Sequence, residues 1–236
     1  MALFPLQVAG AEVRRKGKVL IGPVDLRLEE TGITIVLGPN GAGKTTFLQM
    51  LSGTTRLSEG EVKWSCPTDV ARKKQAFVFQ KPVMLRRSVR ENLSYPLRLV
   101  KTPRNEAIAR ADRWAERVGL QEVLSRQATS LSWGERQKLA LARALIREPE
   151  VLFLDEPCAS LDGRAIREIE EILQNAAAAG TRLIMSTHDL GQARRLADEI
   201  AFIYRGKVHE FEACPTFFQG PKSAQAGAFL RGDILE

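Results

Sequence analysis

The sequence predicts an α/β fold: a mostly parallel sheet with helices on both faces, an antiparallel β side sheet and an inserted α-helical subdomain. Three observations carry that expectation. Apolar runs at 33–37, 76–79, 151–154, 183–185 and 200–204 are separated by stretches of helical periodicity, the pattern of a parallel core. Alternation within the first 30 residues suits antiparallel strands instead. Between residues 88 and 147 the composition shifts to Ala, Arg, Glu and Leu with no convincing strand.

In chain order, 19–21 and 24–28 read as antiparallel strands around a Gly22-Pro23 turn, followed by a buried strand at 33–37 and a helix from near Lys44. A strand at 76–79 precedes the helical stretch, where Pro96 and Pro103 fall near the start. Ser132 and Glu135 have capping-box spacing, so a helix begins there and carries Leu139, Ala142, Leu145 and Ile146 on one face until Glu148-Pro149. The apolar run 151–154 is a buried strand, 176–179 is good helix before Gly180, and the last two runs return to the sheet. We therefore expect one domain over 1–236, with a core from 1–87 and 148–236 and a helical subdomain at 88–147.

A chain of 236 residues can bury enough surface for one large domain. Its three cysteines, Cys66, Cys158 and Cys214, are an odd count without metal-ligand spacing, which predicts a reducing compartment and argues against a zinc site. No apolar run approaches the roughly 18 to 20 residues of a membrane span, and the first residues lack the pattern of a signal peptide. The net charge of +7 suits nucleic acid or an anionic membrane face, but its clusters are short and not interleaved with aromatics, so a solvated basic face is expected and no nucleic acid.

The densest chemical signal is Gly38-Pro39-Asn40-Gly41-Ala42-Gly43-Lys44-Thr45, a phosphate-loop pattern placed behind a strand. Glycines at 38, 41 and 43 let the backbone curl and aim N–H groups at one anion, Lys44 adds charge, and Thr45 offers a hydroxyl to magnesium. The helix that starts here, continuing through Thr46, directs its positive end to the same point. No Asn-Lys-x-Asp stretch of the guanine-reading kind occurs, so ATP with Mg2+ is the expected ligand. At the end of the strand 151–154, Asp155 is placed to hold the metal shell and Glu156 to orient or deprotonate the attacking water.

Ser132-x-Gly134-Glu135 stands 23 residues ahead of Asp155, and His188 ends the next apolar strand. With these elements the chain resembles, over nearly its whole length, the ATP-binding cassette family of transporter motor subunits. The resemblance implies a P-loop NTPase core and assigns Gln80 to sensing magnesium and water, His188 to the γ-phosphate, and Ser160-Leu161-Asp162 to a loop that crosses between subunits. It also implies a head-to-tail homodimer in which Ser132, Gly134 and Glu135 of one copy close on ATP held by the other. A membrane permease would hold the chain at the cytoplasmic face of the inner membrane, and an extracytoplasmic binding protein would capture the cargo.

Two positions depart from the family pattern. Trp133 stands where the signature usually has a glycine, so its indole is expected to turn away from the nucleotide and Trp133→Gly to leave activity equal or higher. The usual adenine-stacking aromatic is absent, since none lies between Phe4 and Phe47; Arg15 sits near the expected place, where a guanidinium can stack or simply face solvent. The 51 residues between Gln80 and Ser132 suit a compact transporter cassette rather than a repair or chromosome ATPase with a long coiled coil. The stretches 79–89 and 188–198 look like ATP-binding subunits of tungstate importers. The resemblance leaves phosphate, molybdate and polar amino-acid import open, with action on soluble partners a lesser alternative. The 48 residues after His188 are too few for the regulatory domain of many sugar and sulfate cassettes, which suits a short importer subunit.

Overall fold

The first two strands, β1 (Leu6–Arg15) and β2 (Lys18–Leu28), pair antiparallel and join through Lys16-Gly17, both with positive φ. This corrects the turn expected at Gly22-Pro23, because β2 runs straight through it. Irregular register against β1 absorbs the proline, and Gly22 N–H donates outside the sheet to Gly206 O at 2.8 Å. A Cβ at Gly22 would sit 2.5 Å from Ala11 O, so this close backbone approach requires glycine. Strand β4 (Glu59–Lys63) covers the other edge of β1, giving the order β2-β1-β4. The computed structural model describes residues 2–233.

The second sheet contains β3 (Ile33–Leu37), β5 (Gln75–Val78), β6 (Val151–Asp155), β7 (Arg182–Thr187), β8 (Glu199–Tyr204) and β9 (Lys207–Ala213). Its order is β5-β6-β7-β3-β8-β9, parallel except that β9 lies antiparallel on β8. All five residues of β3 and of β6 are buried, as expected of strands covered on both faces. Strand alternation then divides the core. Val36, Phe153, Ile184 and Ile203 face the side sheet and α1 (Lys44–Leu51), whereas Ile35, Leu37, Leu152, Leu154 and Met185 face the opposite helical layer.

That layer contains α5 (Trp133–Leu145), α6 (Gly163–Ala178), α7 (Leu190–Leu196), α8 (Cys214–Gln219) and α9 (Ala224–Arg231), while the short α2 (Thr68–Lys73) precedes β5. Two further helices, α3 (Val89–Leu99) and α4 (Arg104–Arg117), pack with α5 around Leu93, Ala111, Leu139, Ala142 and Ile146. Leu145 departs from the face expected for it and joins the sheet-side core with Leu141. Thus α5 wedges between two clusters, and its start is fixed by the expected capping box: Glu135 N–H donates to Ser132 Oγ at 3.3 Å and Glu135 Oε2 accepts from Ser132 N–H at 2.7 Å. Glu135 is consequently held below the usual carboxylate range, first by the Ser132 backbone bond and then by its hydroxyl. Among the described residues, no helix is long and apolar enough to cross a membrane.

Candidate nucleotide site

Neighbouring strands β6, β7 and β3 all point their C-terminal ends to one edge of the parallel sheet, where an α/β fold places its ligand crevice. From β3 the chain enters the glycine-rich loop and then α1, whose preceding residue, Gly43, has φ 111°. A Cβ on Gly43 would approach Leu20 O to 2.8 Å, so the loop can lie against β2 only with glycine there. Gly206 N–H donating to Ala42 O at 2.9 Å and Ala42 N–H to Pro39 O at 3.2 Å fix the loop's shape.

Lys44 is buried, and its Nζ donates to Gly38 O at 2.9 Å and Pro39 O at 3.2 Å. The same Nζ lies 3.2 Å from Glu156 Oε1. Glu156 therefore stands at the centre of the site: its Oε2 is 3.3 Å from His188 Nδ1 and 3.5 Å from Gln80 Nε2. Its backbone has φ 43°, a left-handed conformation that a non-glycine residue adopts only when its surroundings hold it. Ser186 supplies part of that hold, accepting from Glu156 N–H at Oγ at 3.0 Å. The Ser186 hydroxyl donates in turn to Asp155 Oδ1 at 2.8 Å, and Thr45 Oγ1 donates to Asp155 Oδ2 at 2.9 Å. One serine thus registers both carboxylates.

The resulting cavity, about 620 Å³, is lined by Asn40, Gly41, Gly43, Lys44, Thr45 and Thr46 on one side and by Gln80, Glu156, Ala159, Ser160 and His188 on the other. Gly38, Pro39 and Ala42 shape the loop from behind, and Asp155 is buried beneath Thr45. A positively charged backbone cradle beside a carboxylate, a histidine and an amide is suited to binding phosphates and to handling a water proton. Thr45, Asp155 and Gln80 offer hydroxyl, carboxylate and amide oxygens, hard donors that fit magnesium shared with phosphates. Among the described residues no cluster of three or more His, Cys, Asp or Glu could hold a metal alone.

Other predicted residues lie elsewhere. Ser132, Gly134 and Glu135 do not line this cavity; they form the start of α5, with Ser132 exposed. Asp162 caps α6, its Oδ1 accepting from Arg164 N–H at 3.0 Å and Ala165 N–H at 2.9 Å. Trp133 turns its indole toward Ala159, donating to the carbonyl oxygen at 3.3 Å. Arg15 is exposed at the end of β1 and not in the cavity wall, where Leu20 stands instead. Leu20 and Ala159 had no individual sequence signal: each is positioned by contacts to segments distant in the chain.

Residues 21–159 match the ABC transporter family. The chain is 42% identical over 198 residues to the tungstate uptake system ATP-binding protein TupC of Peptoclostridium acidaminophilum, covering 82% of this chain and 92% of that protein. It is 33% identical to the phosphate import ATP-binding protein PstB 2 of Natronomonas pharaonis, covering 98% of this chain and 87% of the relative. The solved structure of cbiO1 from Clostridium perfringens, part of the ABC transporter complex cbiONQ, superposes with a TM-score of 0.82 at 26% identity over 92% of each chain. Together with a phosphate cradle facing a carboxylate, these likenesses establish that the chain belongs to the ABC transporter family and is an ATP-binding subunit with ATPase activity.

Proposed function

We propose that this chain is the ATP-hydrolysing motor subunit of an importer whose cargo is an oxyanion, tungstate above the alternatives. The observation that carries the motor reading is the placement of Glu156 between Lys44, His188 and Gln80 at the mouth of the phosphate loop. Lys44 and the loop N–H groups bind the β- and γ-phosphates, and Thr45 and Asp155, with Gln80, would hold magnesium. When bound, that ion neutralises charge on the outer phosphates. Glu156 accepts a proton from the water whose oxygen attacks the terminal phosphorus; the bond to the bridging oxygen breaks and ADP leaves. His188 contacts the γ-phosphate and steadies Glu156.

Ser132 stands exposed at the N-terminus of α5 and outside its own chain's cavity, which supports a site completed by a second copy. There the capped helix start directs N–H groups at the γ-phosphate across a head-to-tail interface, with Gly134 and Glu135 behind it and Asp162 in the crossing loop. ATP then has higher affinity for the closed pair, and hydrolysis removes that preference. In this reading 88–147 acts as a helical subdomain beside the core formed by 1–87 and 148–236. A groove of about 430 Å³ between them is lined by Phe79, Val83, Tyr95, Leu99 and Arg143 and suits a short cytoplasmic helix of a permease. That permease would hold the chain at the cytoplasmic face of the membrane, with a separate extracytoplasmic protein capturing the anion.

Tungstate is favoured over phosphate by the higher identity to the tungstate relative, 42% against 33%. The test is to recover the tagged chain from native membranes in mild detergent and identify what remains bound. A multi-span permease encoded beside an anion-binding protein supports import, and titrating that binding protein with tungstate, molybdate and phosphate decides the cargo. Recovery with ribosomes or soluble proteins only would overturn the transport reading while leaving the ATPase.

A further inference from the structure

We infer that Trp133 is a positioning residue for hydrolysis: its indole ties the start of α5 to the strained segment that carries Glu156. The inference rests on Glu156 acting as proposed above. The segment leaves β6 with φ 43° at Glu156 and reaches φ 62° at Ser160, two non-glycine residues held in the left-handed region within five positions. Such a backbone relaxes unless neighbouring structure fixes it. Ala159 N–H donates to Glu156 O at 3.1 Å, which closes the segment locally but does not anchor it to another element. At its far end, Ala159 O accepts from Trp133 Nε1 at 3.3 Å, and this bond joins the segment to the helix α5.

Several features make the tie specific. Trp133 remains 37% exposed, so its ring is laid along the surface toward Ala159 and is not a core residue. The next residue, Gly134, faces the chain beyond the segment: a Cβ there would stand at ordinary contact distance from Ala165 Cβ, 3.4 Å, and Leu161 Cδ2, 3.9 Å. The first turn of α5 therefore faces residues 161–165, and the indole carries that approach back to 159. Ala159 and Ser160 themselves form part of the cavity wall beside Glu156. Movement of α5 is consequently passed to the wall through this indole as well as through the approach at Gly134, and a glycine at 133 loses the first of these links. The contact reverses the expectation that Trp133→Gly leaves activity equal or higher.

The test compares Trp133→Phe, which keeps a ring but loses the donor, with Trp133→Gly in the full chain. Loss of one neutral hydrogen bond corresponds to about a fivefold change in an equilibrium. Both variants are expected to lower kcat for ATP about fivefold at unchanged KM, because the Lys44 cradle is untouched, and to raise amide hydrogen exchange at 158–161 by a similar factor without raising it in α1. Unchanged exchange at 158–161 in both variants would overturn the proposal, as would equal or faster turnover in Trp133→Gly. A fall in kcat with exchange rising throughout α5 would also overturn it, since that pattern is loss of a helix end. Exchange is read without nucleotide, so a parent protein lacking ATP turnover refutes the assignment of Glu156 while the tie itself is still decided.

Discussion

Replacing Glu156 with glutamine isolates the proton-accepting role, because size and most contacts are kept while the charge is lost. In the structure Glu156 carries three neighbours, with Lys44 Nζ at 3.2 Å, His188 Nδ1 at 3.3 Å and Gln80 Nε2 at 3.5 Å. A glutamine oxygen can still accept from Lys44, which also keeps its bonds to Gly38 O and Pro39 O, so the cradle survives. Asp155 is held separately by Ser186 and Thr45. What disappears is the proposed acceptor of the water proton, worth roughly 10²- to 10⁴-fold in rate. At 1.36 kcal/mol per decade that is about 2.7 to 5.4 kcal/mol of barrier. Nucleotide affinity should be equal or tighter, since a negative charge near the γ-phosphate has been removed. Phosphate release at saturating Mg-ATP, paired with equilibrium binding of a fluorescent ATP analogue, measures both. Turnover within a few-fold of the parent would remove Glu156 from the role of base. A parallel loss of binding would show that the glutamine disrupts the cradle.

Lys44→Ala should act on the other term: losing a charge-assisted contact to phosphate weakens ATP binding by about tenfold or more, and unchanged affinity in the same titration would contradict the cradle. Burial pushes the Cys158 thiol up to about 11, with a Gln192 hydrogen bond only partly opposing it. At pH 8 its thiolate fraction is then about 10⁻³, so iodoacetamide should modify Cys158 about a hundredfold more slowly than an ordinary exposed thiol, and rapid labelling of its peptide would refute this. Glu135 is held below its ordinary range in the folded chain, so its contribution to stability is present above the usual carboxylate range and fades as pH falls through the depressed value. Glu135→Gln, which keeps the cap acceptor and loses the charge, should cost about 0.3 to 1 kcal/mol at pH 7, with the gap from the parent closing as pH falls below the ordinary carboxylate range. A constant gap across that range would mean that the carboxylate charge does not support the cap.

Elements governed by neighbours in sequence were legible. The strand 33–37 and the helix from Lys44 follow from a continuous apolar run and a glycine loop, and the capping box at Ser132 follows from side chains three residues apart. Elements governed by distant contacts were not. Gly22-Pro23 reads locally as a turn, yet its N–H is taken by Gly206, 184 positions away, and the strand continues. Ser186 stands in the sequence between the apolar run 183–185 and His188, but its registration of Asp155 and Glu156 depends on β6 and β7 lying side by side.

The placement of α5 takes this distinction into the site itself. Capping chemistry identifies where the helix starts but not what it faces, because direction is decided by packing on both flanks. Leu141 and Leu145 hold one flank to the sheet, and Leu139, Ala142 and Ile146 hold the other to α3 and α4. With the helix pinned between two cores, Ser132 cannot swing into its own chain's cavity without breaking one of them. Its exposed, capped N-terminus is therefore directed outward by the same burial that stabilises the helix, which supports the proposal that a second molecule brings a phosphate to it. The residues of the signature and those of the cradle, joined in the proposed closed pair, are separate in the monomer. Disruption of the Leu139 or Leu141 contacts would weaken nucleotide-dependent pairing of two chains before it weakened binding of nucleotide by one.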